Sequence, residues 1–419
     1  MKTQQDNSSR VVITGMGVIS PVGSGLDAFW SGLLAGKSGI RRITQFDASN
    51  LPCQIAGEIP DFDPYKYLDR KEGRRIPRSG QIALSAAIMA VADAGLPETM
   101  PNPERASVIF GTAIGGVDHI IGGVEILHAQ GYEKMSPFVV PYGIPNLSAF
   151  LIAKQFRCLG RNCTVATACA TGTQAIGEAT ELIRRGESDI VITGGSEAII
   201  KDYTIAGLCA MRAVSFNFND DPEHASRPFD AKREGFVFSE GAGVLILESL
   251  EHALARNARI YAEIIGYASS ADAYHVVAPD PNGVGPINAM RWSLEDAGIS
   301  PADVDYINAH GTSTLLNDSI ETHAIKSVFG EQAYKIPISS IKSMLGHPIG
   351  AAGALEAITC AMTINKDWIA PTINYEIPDP ECDLDYVPNQ ARQQKVKIAL
   401  SNSFGFGGQN ACIILQQYP

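Results

Sequence analysis

Cys169 occurs where an extended, β-branched run gives way to a helical pattern. Its neighbours Ala168, Ala170 and Gly172 are small, so a substrate could approach the sulfur. We expect the unpaired N–H groups at the start of the helix to lower the pKa of the thiol and favour a thiolate. The alternative is a structural cysteine, which usually has large apolar neighbours. The sequence therefore predicts that Cys169 is a nucleophile.

Two of the eight histidines, His310 and His347, have sequence neighbours that suggest a chemical role. His310 opens a hydroxyl-rich turn that ends at Thr314, and His347 follows Lys342 and precedes a small-residue helix. A thiol with two histidines is compatible with hydrolysis or with carbon–carbon bond formation. A cysteine protease usually combines one histidine with Asn or Asp, whereas two neutral imidazoles could donate N–H bonds to a developing enolate oxygen. A structural or surface role is expected for the other six, which are His119, His128, His224, His252, His275 and His323.

The elements that must position these residues occur twice along the chain. A helical segment over 81–94 precedes a strand over 106–110, and a helical segment over 289–294 precedes a strand over 304–308. Asp-Ala-Gly follows the helical pattern in both places. Such a duplication predicts two α/β halves related by a pseudo-twofold axis.

The duplication extends to the reactive residues themselves. Cys169 is followed by Gly172 and then Glu178, and His347 is followed at the same spacings by Gly350 and then Glu356. If the equivalent helices pack together, the residues at their starts meet in one cavity. His310 ends a strand of the second half, and ligand sites in such sheets lie beyond strand C-termini. We therefore expect all three side chains at one site.

We place the two halves at 11–255 and 256–417, without a Pro- or Ser-rich linker between them. A chain of 419 residues with a net charge of −12 is a poor candidate for nucleic-acid binding. The eight cysteines form no CxxC pair, which indicates reduced thiols in a cytoplasmic protein and neither a zinc site nor a disulfide framework. The polar segment 1–10 predicts no signal peptide, and no apolar run reaches membrane-spanning length.

Two further segments could bind ligands or partners. The strand-and-glycine pattern over 11–20 superficially resembles a dinucleotide fingerprint, but the third glycine is missing and Pro21 follows, so we expect no nucleotide there. The segment 65–78 is densely basic, and we name its cations the basic cluster: Lys66, Arg70, Lys71, Arg74, Arg75 and Arg78. This segment is either a solvated helical face or the place where an acidic partner docks.

Five motifs in this order resemble those of the β-ketoacyl-[acyl-carrier-protein] synthases, condensing enzymes of the thiolase fold, and most closely the elongating type II enzymes. The motifs are Thr167-Ala168-Cys169, Asn308 to Thr314, Lys342 to His347, Gly350 to Gly353, and Asn402 to Gly408. The resemblance runs from Val11 to Leu415. It implies a layered α-β-α-β-α arrangement of two duplicated halves and an acyltransferase that extends an acyl chain in fatty acid biosynthesis.

The resemblance also implies a role for individual residues. Cys169 would carry the acyl group, with its own backbone N–H and that of Phe404 as the oxyanion hole, and His310 and His347 would promote decarboxylation of the malonyl donor. Lys342, helped by Glu356, would hold the histidines. Thr312 and Thr314 would bind the phosphopantetheine arm, and Phe404 would face Ile114 at the acyl pocket. Arg70, Lys71, Arg74 and Arg75 would dock the acyl carrier protein, with Lys66, Arg78 and Arg212 as the next candidates.

The family further implies a homodimer and substrates that arrive on the carrier's phosphopantetheine arm, with no cofactor and no metal required. Two differences from the family's usual sequence affect which biosynthetic pathway we expect. Leu315-Leu316-Asn317-Asp318 stands where the family more often has a Pro-Ala-Gly-Asp-like turn, and Pro77 should break the basic helix. A ketosynthase of a specialised polyketide or polyene pathway therefore stays open.

Two more distant alternatives agree less well with the sequence. A non-catalytic subunit resembling a chain-length factor would lack the cysteine. A degradative thiolase would need a second catalytic cysteine near the C-terminus, and the segment from Phe404 to Gly408 does not have that pattern.

Overall fold

The protein was analysed as a computed structural model, which describes residues 9–419. The polar N-terminal segment, in which we expect no signal peptide, lies almost wholly outside this range. The strands are β1 Val11–Ser20, β2 Gly23–Ser24, β3 Arg41–Arg42, β4 Ile55–Ala56, β5 Ala106–Gly111, β6 Asn162–Val165, β7 Ile190–Glu197, β8 Gly241–Ser249, β9 Ala262–Ala271, β10 Tyr306–Asn308, β11 Ile338–Ser339, β12 Trp368–Ile369, β13 Arg392–Gln393, β14 Ile398–Gly405 and β15 Gln409–Gln416.

The helices alternate with these strands. They are α1 Leu26–Leu34, α2 Arg70–Gly73, α3 Arg78–Asp93, α4 Val117–Gln130, α5 Val139–Gly143, α6 Leu147–Phe156, α7 Thr171–Arg184, α8 Asp202–Ala210, α9 Leu250–Ala255, α10 Val284–Ala297, α11 Leu315–Phe329, α12 Lys342–Leu345 and α13 Ala352–Lys366. Pro77 precedes α3 and separates it from α2, so the predicted break in the basic helix is present. No helix within residues 9–419 combines the length and the apolar character needed to cross a bilayer.

The main sheet contains the same strand pattern twice. In the first half the order is β1-β8-β7-β5-β6, and in the second it is β9-β15-β14-β10-β11. Corresponding pairs share their direction, since β5–β6 and β5–β7 are parallel, as are β10–β11 and β10–β14, while the remaining neighbours within each half are antiparallel. The duplication predicted from the sequence is therefore confirmed.

The two half-sheets meet along one short antiparallel contact. Val11, Val12 and Ile13 of β1 pair with Ile264, Glu263 and Ala262 of β9. One hydrophobic core continues across this junction, because residues from β1, α7, α13 and β15 belong to the same buried cluster. The division of the chain at about residue 255 stays a prediction.

Helices α7 and α13 lie between the half-sheets and contact each other, with α3 and α10 on the outer faces. Each central helix also reaches the other half, α7 touching β15 and α13 touching β8. This gives five layers, as expected for a thiolase-like fold.

Glycines let the two central helices approach closely where they begin. A Cβ added to Gly172 would come within 2.7 Å of the Ala354 nitrogen, and one added to Gly353 would come within 2.1 Å of Thr173 Oγ1. Any larger residue at these positions would push the helix starts apart. Gly172, which lies close to the predicted nucleophile, therefore also has a structural role, because it lets the start of α13 approach the start of α7.

Candidate active site

Cys169 lies in the 3₁₀ turn Ala168–Ala170, which connects β6 to α7. Ala168 has a left-handed backbone, with φ of 48°, a conformation that costs a residue with a Cβ about 1–2 kcal/mol. The sharp turn leaves the Cys169 side chain at the start of α7, 4% exposed, on the wall of a cavity. Strained turns of this kind are concentrated at functional sites.

We expected the helix N-terminus to lower the pKa of the Cys169 thiol. Burial instead raises this pKa to about 12, while the Phe406 backbone N–H and the charge of Lys342 lower it by less. The expectation that the helix N-terminus lowers the pKa of the thiol is therefore wrong. The thiol must lose its proton to a neighbouring base as it attacks.

Two imidazoles lie close enough to Cys169 to act as this base. The sulfur of Cys169 and one ring nitrogen each of His310 and His347 lie within 4.8 Å of one another. The two rings are nearly perpendicular, with centroids 5.4 Å apart and an interplanar angle of 84°. Residues that are far apart in the sequence thus converge on one point.

Burial lowers the pKa of both His310 and His347 well below the usual value, and the charge of Lys342 lowers both further. Both rings are therefore neutral at pH 7, each with one N–H donor and one lone pair. Three such ligand atoms could also hold a transition metal, but the nearby ammonium of Lys342 repels a cation. The arrangement favours proton transfer and N–H donation to an anionic oxygen.

Lys342 fixes the orientation of His310. Its Nζ donates to the His310 carbonyl oxygen at 2.7 Å and lies 3.5 Å from His310 Nδ1. An ammonium can only donate, so Nδ1 presents its lone pair to the lysine and the proton of the neutral ring is on Nε2. The lysine, 2% exposed, also pairs with the buried carboxylate of Glu356, to which Ser403 Oγ donates at 3.4 Å.

The His310 backbone is held by a second buried carboxylate. The N–H groups of His310 and Gly311 donate to Glu321 at 2.8 and 2.7 Å, and the N–H of Thr312 donates to Asp318 at 3.0 Å. Sequence reasoning did not single out Glu321 or Asp318. Their signal was available, since both acids lie on one face of the helix that follows the hydroxyl-rich turn.

His347 is held through its backbone and its ring face. Its N–H donates to the Val237 carbonyl at 2.7 Å, and its ring meets Phe236 edge-on with centroids 5.4 Å apart. Within residues 9–419 neither of its ring nitrogens has a hydrogen-bond partner, although both are buried. Both nitrogens are therefore free to bond a substrate or to exchange a proton.

A cavity of about 400 Å³ leads from the surface to the sulfur. Its inner walls include Cys169, His310, His347, Phe404 and Phe406. Thr312 and Thr314 line it further out, with their hydroxyl oxygens 3.0 Å apart, and Arg212 is exposed on its wall. The two threonine hydroxyls on this wall can hydrogen-bond to a polar arm that enters the cavity.

The expected roles of Phe404, Ile114 and Glu356 stay predictions. Phe404 lines the cavity and lies opposite Asn410 in the β14–β15 ladder, with its ring centroid 5.7 Å from that of His310. Ile114 and Phe406 both pack against the apolar cluster that contains Cys169. Glu356 pairs with Lys342, as expected for a residue that helps the lysine to hold the histidines.

Another buried carboxylate that sequence reasoning missed lies behind this cluster. Glu197 accepts the N–H groups of Ala113 and Ile114 at 2.9 and 3.4 Å, and burial raises its pKa to about 7. A Cβ added to Gly350 would come within 2.8 Å of its Oε2. Glu197 thus lies between two turns, the one that contains Ile114 and the one that follows His347.

The basic cluster is divided in the structure. Arg70, Lys71, Arg74 and Arg75 are exposed. Arg78 instead pairs with the buried Glu240, Nη2 to Oε1 at 2.7 Å. No member of the cluster lines the cavity, whereas Arg212 does. The four exposed cations are accessible to a partner that binds the outer surface.

Comparison with known proteins agrees with this geometry. Residues 8–253 match the family model described as beta-ketoacyl synthase, N-terminal domain, and residues 261–376 match the corresponding C-terminal domain. The chain is 50% identical over 98% of both chains to a 3-oxoacyl-[acyl-carrier-protein] synthase 2 of Synechocystis.

Two solved structures extend the comparison. A ketosynthase bound to a hexaketide, in complex with its type II polyketide acyl-carrier protein, is 36% identical with a TM-score of 0.90. The ishigamide ketosynthase/chain length factor is 41% identical with a TM-score of 0.92. In both cases the match covers 98% of this chain and 100% of the other.

Proposed function

The chain belongs to the β-ketoacyl synthase family of condensing enzymes, and from that membership we propose that it extends acyl chains as a 3-oxoacyl-[acyl-carrier-protein] synthase. The reaction is a decarboxylative Claisen condensation between an acyl thioester held on Cys169 and a malonyl group on the carrier. The observation that carries the residue assignments is the convergence of one thiol and two neutral imidazoles within 4.8 Å at the end of the cavity.

In the first half-reaction the sulfur of Cys169 attacks the carbonyl carbon of the acyl thioester. Its proton passes to a neutral imidazole and then to the departing thiol of the phosphopantetheine arm, so the charge balances. The backbone N–H of Cys169 and one from the Phe404–Phe406 turn would stabilise the oxyanion, and the Phe406 N–H, which lowers the pKa of the thiol, is a candidate.

In the second half-reaction the malonyl group loses CO₂ and leaves an enolate. The electron pair of the broken carbon–carbon bond moves onto the thioester oxygen, where Nε2–H of His310 and an N–H of His347 can donate to it. Each donor of this kind contributes about 3–4 kcal/mol to the transition state. The enolate carbon then attacks the acyl carbonyl, and Cys169 leaves as the thiolate.

Lys342 acts through His310 and is a positioning residue. Its ammonium keeps the proton of His310 on Nε2 and lowers the pKa of the ring, so that the imidazole donates as a neutral group. Thr312 and Thr314 would offer hydroxyls to the amides of the arm. Ile114 and Phe406, which pack against the apolar cluster containing Cys169, would contact the acyl chain.

A second candidate function is a ketosynthase of a type II polyketide or polyene pathway. It is favoured by the two solved structures, whose names concern a hexaketide and ishigamide. The 50% identity to a 3-oxoacyl-[acyl-carrier-protein] synthase 2 favours fatty acid elongation. A chain-length-factor-like role is disfavoured because Cys169 and both histidines are present and converge.

Further parts of the proposal concern assembly and surroundings. We infer a homodimer, because large apolar side chains including Tyr132 (74% exposed), Val140 (64%) and Phe150 (52%) are exposed over 117–159, beside the edge strand β6.

Arg70, Lys71, Arg74 and Arg75 would attract an acidic carrier. The enzyme would need no cofactor and no metal of its own, and its eight free thiols suit a cytoplasmic location.

The test is to incubate the protein with acyl-carrier proteins of increasing acyl length and to weigh the intact protein. We expect an acyl adduct on Cys169, and 3-oxoacyl-carrier protein with CO₂ after malonyl-carrier protein is added. A saturated acyl series would support elongation, whereas a preference for conjugated or 3-oxo chains would support the second candidate. If no adduct forms with any donor, the proposed function is wrong.

A further inference from the structure

Arg233 is a buried cation that the proposed chemistry does not use. Its side chain is 2% exposed, and it directly precedes Glu234, Gly235 and Phe236, which line the cavity. Taking a guanidinium out of water is unfavourable unless its donors are satisfied inside the protein. The partners of this guanidinium therefore indicate what it holds in place.

The guanidinium bonds the backbone of another segment that lines the cavity. Nε donates to the Thr314 carbonyl oxygen at 3.2 Å, and Nη2 donates to the Leu315 carbonyl oxygen at 3.2 Å. Nη1 donates to the Asp230 carbonyl oxygen at 3.0 Å and to Asp379 Oδ2 at 2.5 Å. One planar side chain thus connects the end of the hydroxyl-rich turn (310–314) to its own segment.

The hydroxyl-rich turn needs support because its backbone is strained. Ser313 has a left-handed conformation, with φ of 69°, which is unfavourable for a residue with a Cβ. Its Oγ accepts the Arg227 N–H at 3.0 Å, and its carbonyl oxygen accepts the Gly235 N–H at 3.0 Å. Contacts from the segment 227–235 therefore hold a conformation that an isolated turn would disfavour.

Asp318 links the same arginine to Thr312. The Arg233 Nε lies 3.8 Å from Asp318 Oδ2, and Asp318 Oδ1 accepts the Thr312 N–H at 3.0 Å. Burial raises the pKa of this carboxyl, and the charge of Arg233 opposes that rise, which favours the charged acceptor. Arg233 thus acts on both threonines of the cavity wall, on Thr314 directly and on Thr312 through the carboxylate.

We propose that Arg233 is a positioning residue for the phosphopantetheine arm. It fixes the backbone that carries the Thr312 and Thr314 hydroxyls, which lie 3.0 Å apart on the cavity wall, so that both meet the amides of the arm. Arg233 itself does not line the cavity. The inference rests on the proposed function and adds to it a residue behind the wall, whose loss weakens binding of the arm without changing the reaction at Cys169.

The experiment compares the parent with Arg233→Lys. Lysine keeps the positive charge beside Asp318 but has a single nitrogen in place of the planar fork, so it cannot hold both carbonyls. Two donors with the same acyl group are used. Octanoyl-pantetheine has both amides of the arm, and S-octanoyl-2-mercaptoethanol has no amide. The rate of Cys169 acylation is followed by intact mass at increasing donor concentration.

The expected change is in binding of the arm alone. The KM for octanoyl-pantetheine should rise about tenfold, the loss expected when one hydrogen bond to the arm is misaligned. The maximal rate of acylation, and the rate with S-octanoyl-2-mercaptoethanol, should stay within about twofold of the parent.

A double-mutant cycle tests whether Arg233 acts through the threonines. In the background Thr312→Val, Thr314→Val the hydroxyls are already missing. Adding Arg233→Lys should then raise the KM for octanoyl-pantetheine by less than about twofold. A further rise of about tenfold in this background would show that Arg233 does not act through the hydroxyls, and would overturn the proposal.

The matched control is Arg227→Lys. The Arg227 side chain is 3% exposed and lies in the same segment, but it donates to Asp230 at 3.1 Å and to Glu376 at 2.8 Å. Its backbone N–H, which bonds Ser313, is kept in the variant. We expect Arg227→Lys to lose as much thermal stability as Arg233→Lys and to leave acylation by both donors unchanged.

An unchanged KM for octanoyl-pantetheine in Arg233→Lys would overturn the proposal, as would an equal loss with the donor that has no amide. If Arg233→Lys does not fold, Ser313→Ala replaces it, because this variant removes the hydroxyl that accepts the Arg227 N–H. It should raise the same KM about threefold, and an unchanged KM would again overturn the proposal. A parent that forms no adduct with either donor or with octanoyl-carrier protein would refute the proposed function. A parent adduct with an unchanged KM in the variant would refute this inference alone.

Discussion

Replacing Lys342 by Met should destabilise the protein in a way that depends on pH, because Glu356 would lose its cation. The two side chains are 2% and 1% exposed, so solvent cannot replace the missing partner. Removing one partner of a buried ion pair costs about 3–5 kcal/mol when the other keeps its charge. The loss of the Nζ hydrogen bond to the His310 carbonyl at 2.7 Å adds to this cost.

The pH dependence follows from the carboxylate. Burial raises the pKa of Glu356 and the charge of Lys342 opposes that rise, so in the variant the rise is unopposed. A group whose pKa is raised on folding stabilises the folded state below its unfolded pKa, and that contribution is lost as the pH increases through its folded pKa. The variant should therefore lose about 1 kcal/mol at a pH near 5 and about 3–5 kcal/mol near 8.

The measurement is urea denaturation of parent and variant at several pH values between these limits. The control is the double variant Lys342→Met, Glu356→Gln, which has no charge left to bury and should lose the same free energy of unfolding at every pH. If Lys342→Met costs a constant amount across the range, the carboxylate is not left buried and charged, and the reasoning about the pair is refuted.

Four further predictions concern the chemistry and the surface. Cys169→Ala should abolish the acyl adduct seen by intact mass but leave malonyl decarboxylation measurable, and an adduct on the variant would disprove the assignment. Because the pKa values of His310 and His347 lie well below the usual value, decarboxylation should not change between pH 7 and about 6; a half-loss near the ordinary histidine pKa of about 6.5 would contradict this. Arg74→Glu with Arg75→Glu should raise the KM for carrier protein at least about tenfold at low salt, without changing the reactivity of the thiol toward a small reagent. Sedimentation at micromolar concentration should give a dimer, and a monomer there would exclude the inferred assembly.

The sequence predicted the architecture well because the architecture is repeated. Each half contains a helix, an Asp-Ala-Gly sequence at the end of that helix and then a strand, in the same order. Hydrophobic periodicity and repeats of this kind depend only on residues that are close in the sequence. The thiolase-like fold and the membership in the condensing-enzyme family were both expected and are both shown by the comparisons. The residue roles stay predictions, although the structure brings Cys169, His310 and His347 together.

The expectation that the structure contradicts concerns the pKa of Cys169, which burial raises. A helix N-terminus can be identified in a sequence, but the desolvation that outweighs it comes from residues on other elements.

The sequence by itself thus determined the duplicated α/β fold and predicted the nucleophile and the two histidines, because these follow from local patterns and from motifs of fixed spacing. Only the tertiary structure decided the protonation states of Cys169, His310 and His347, and that Glu321 and Glu356 hold the His310 backbone and Lys342. The protonation states depend on burial, which results from the packing of elements from distant parts of the chain, and no local pattern encodes them.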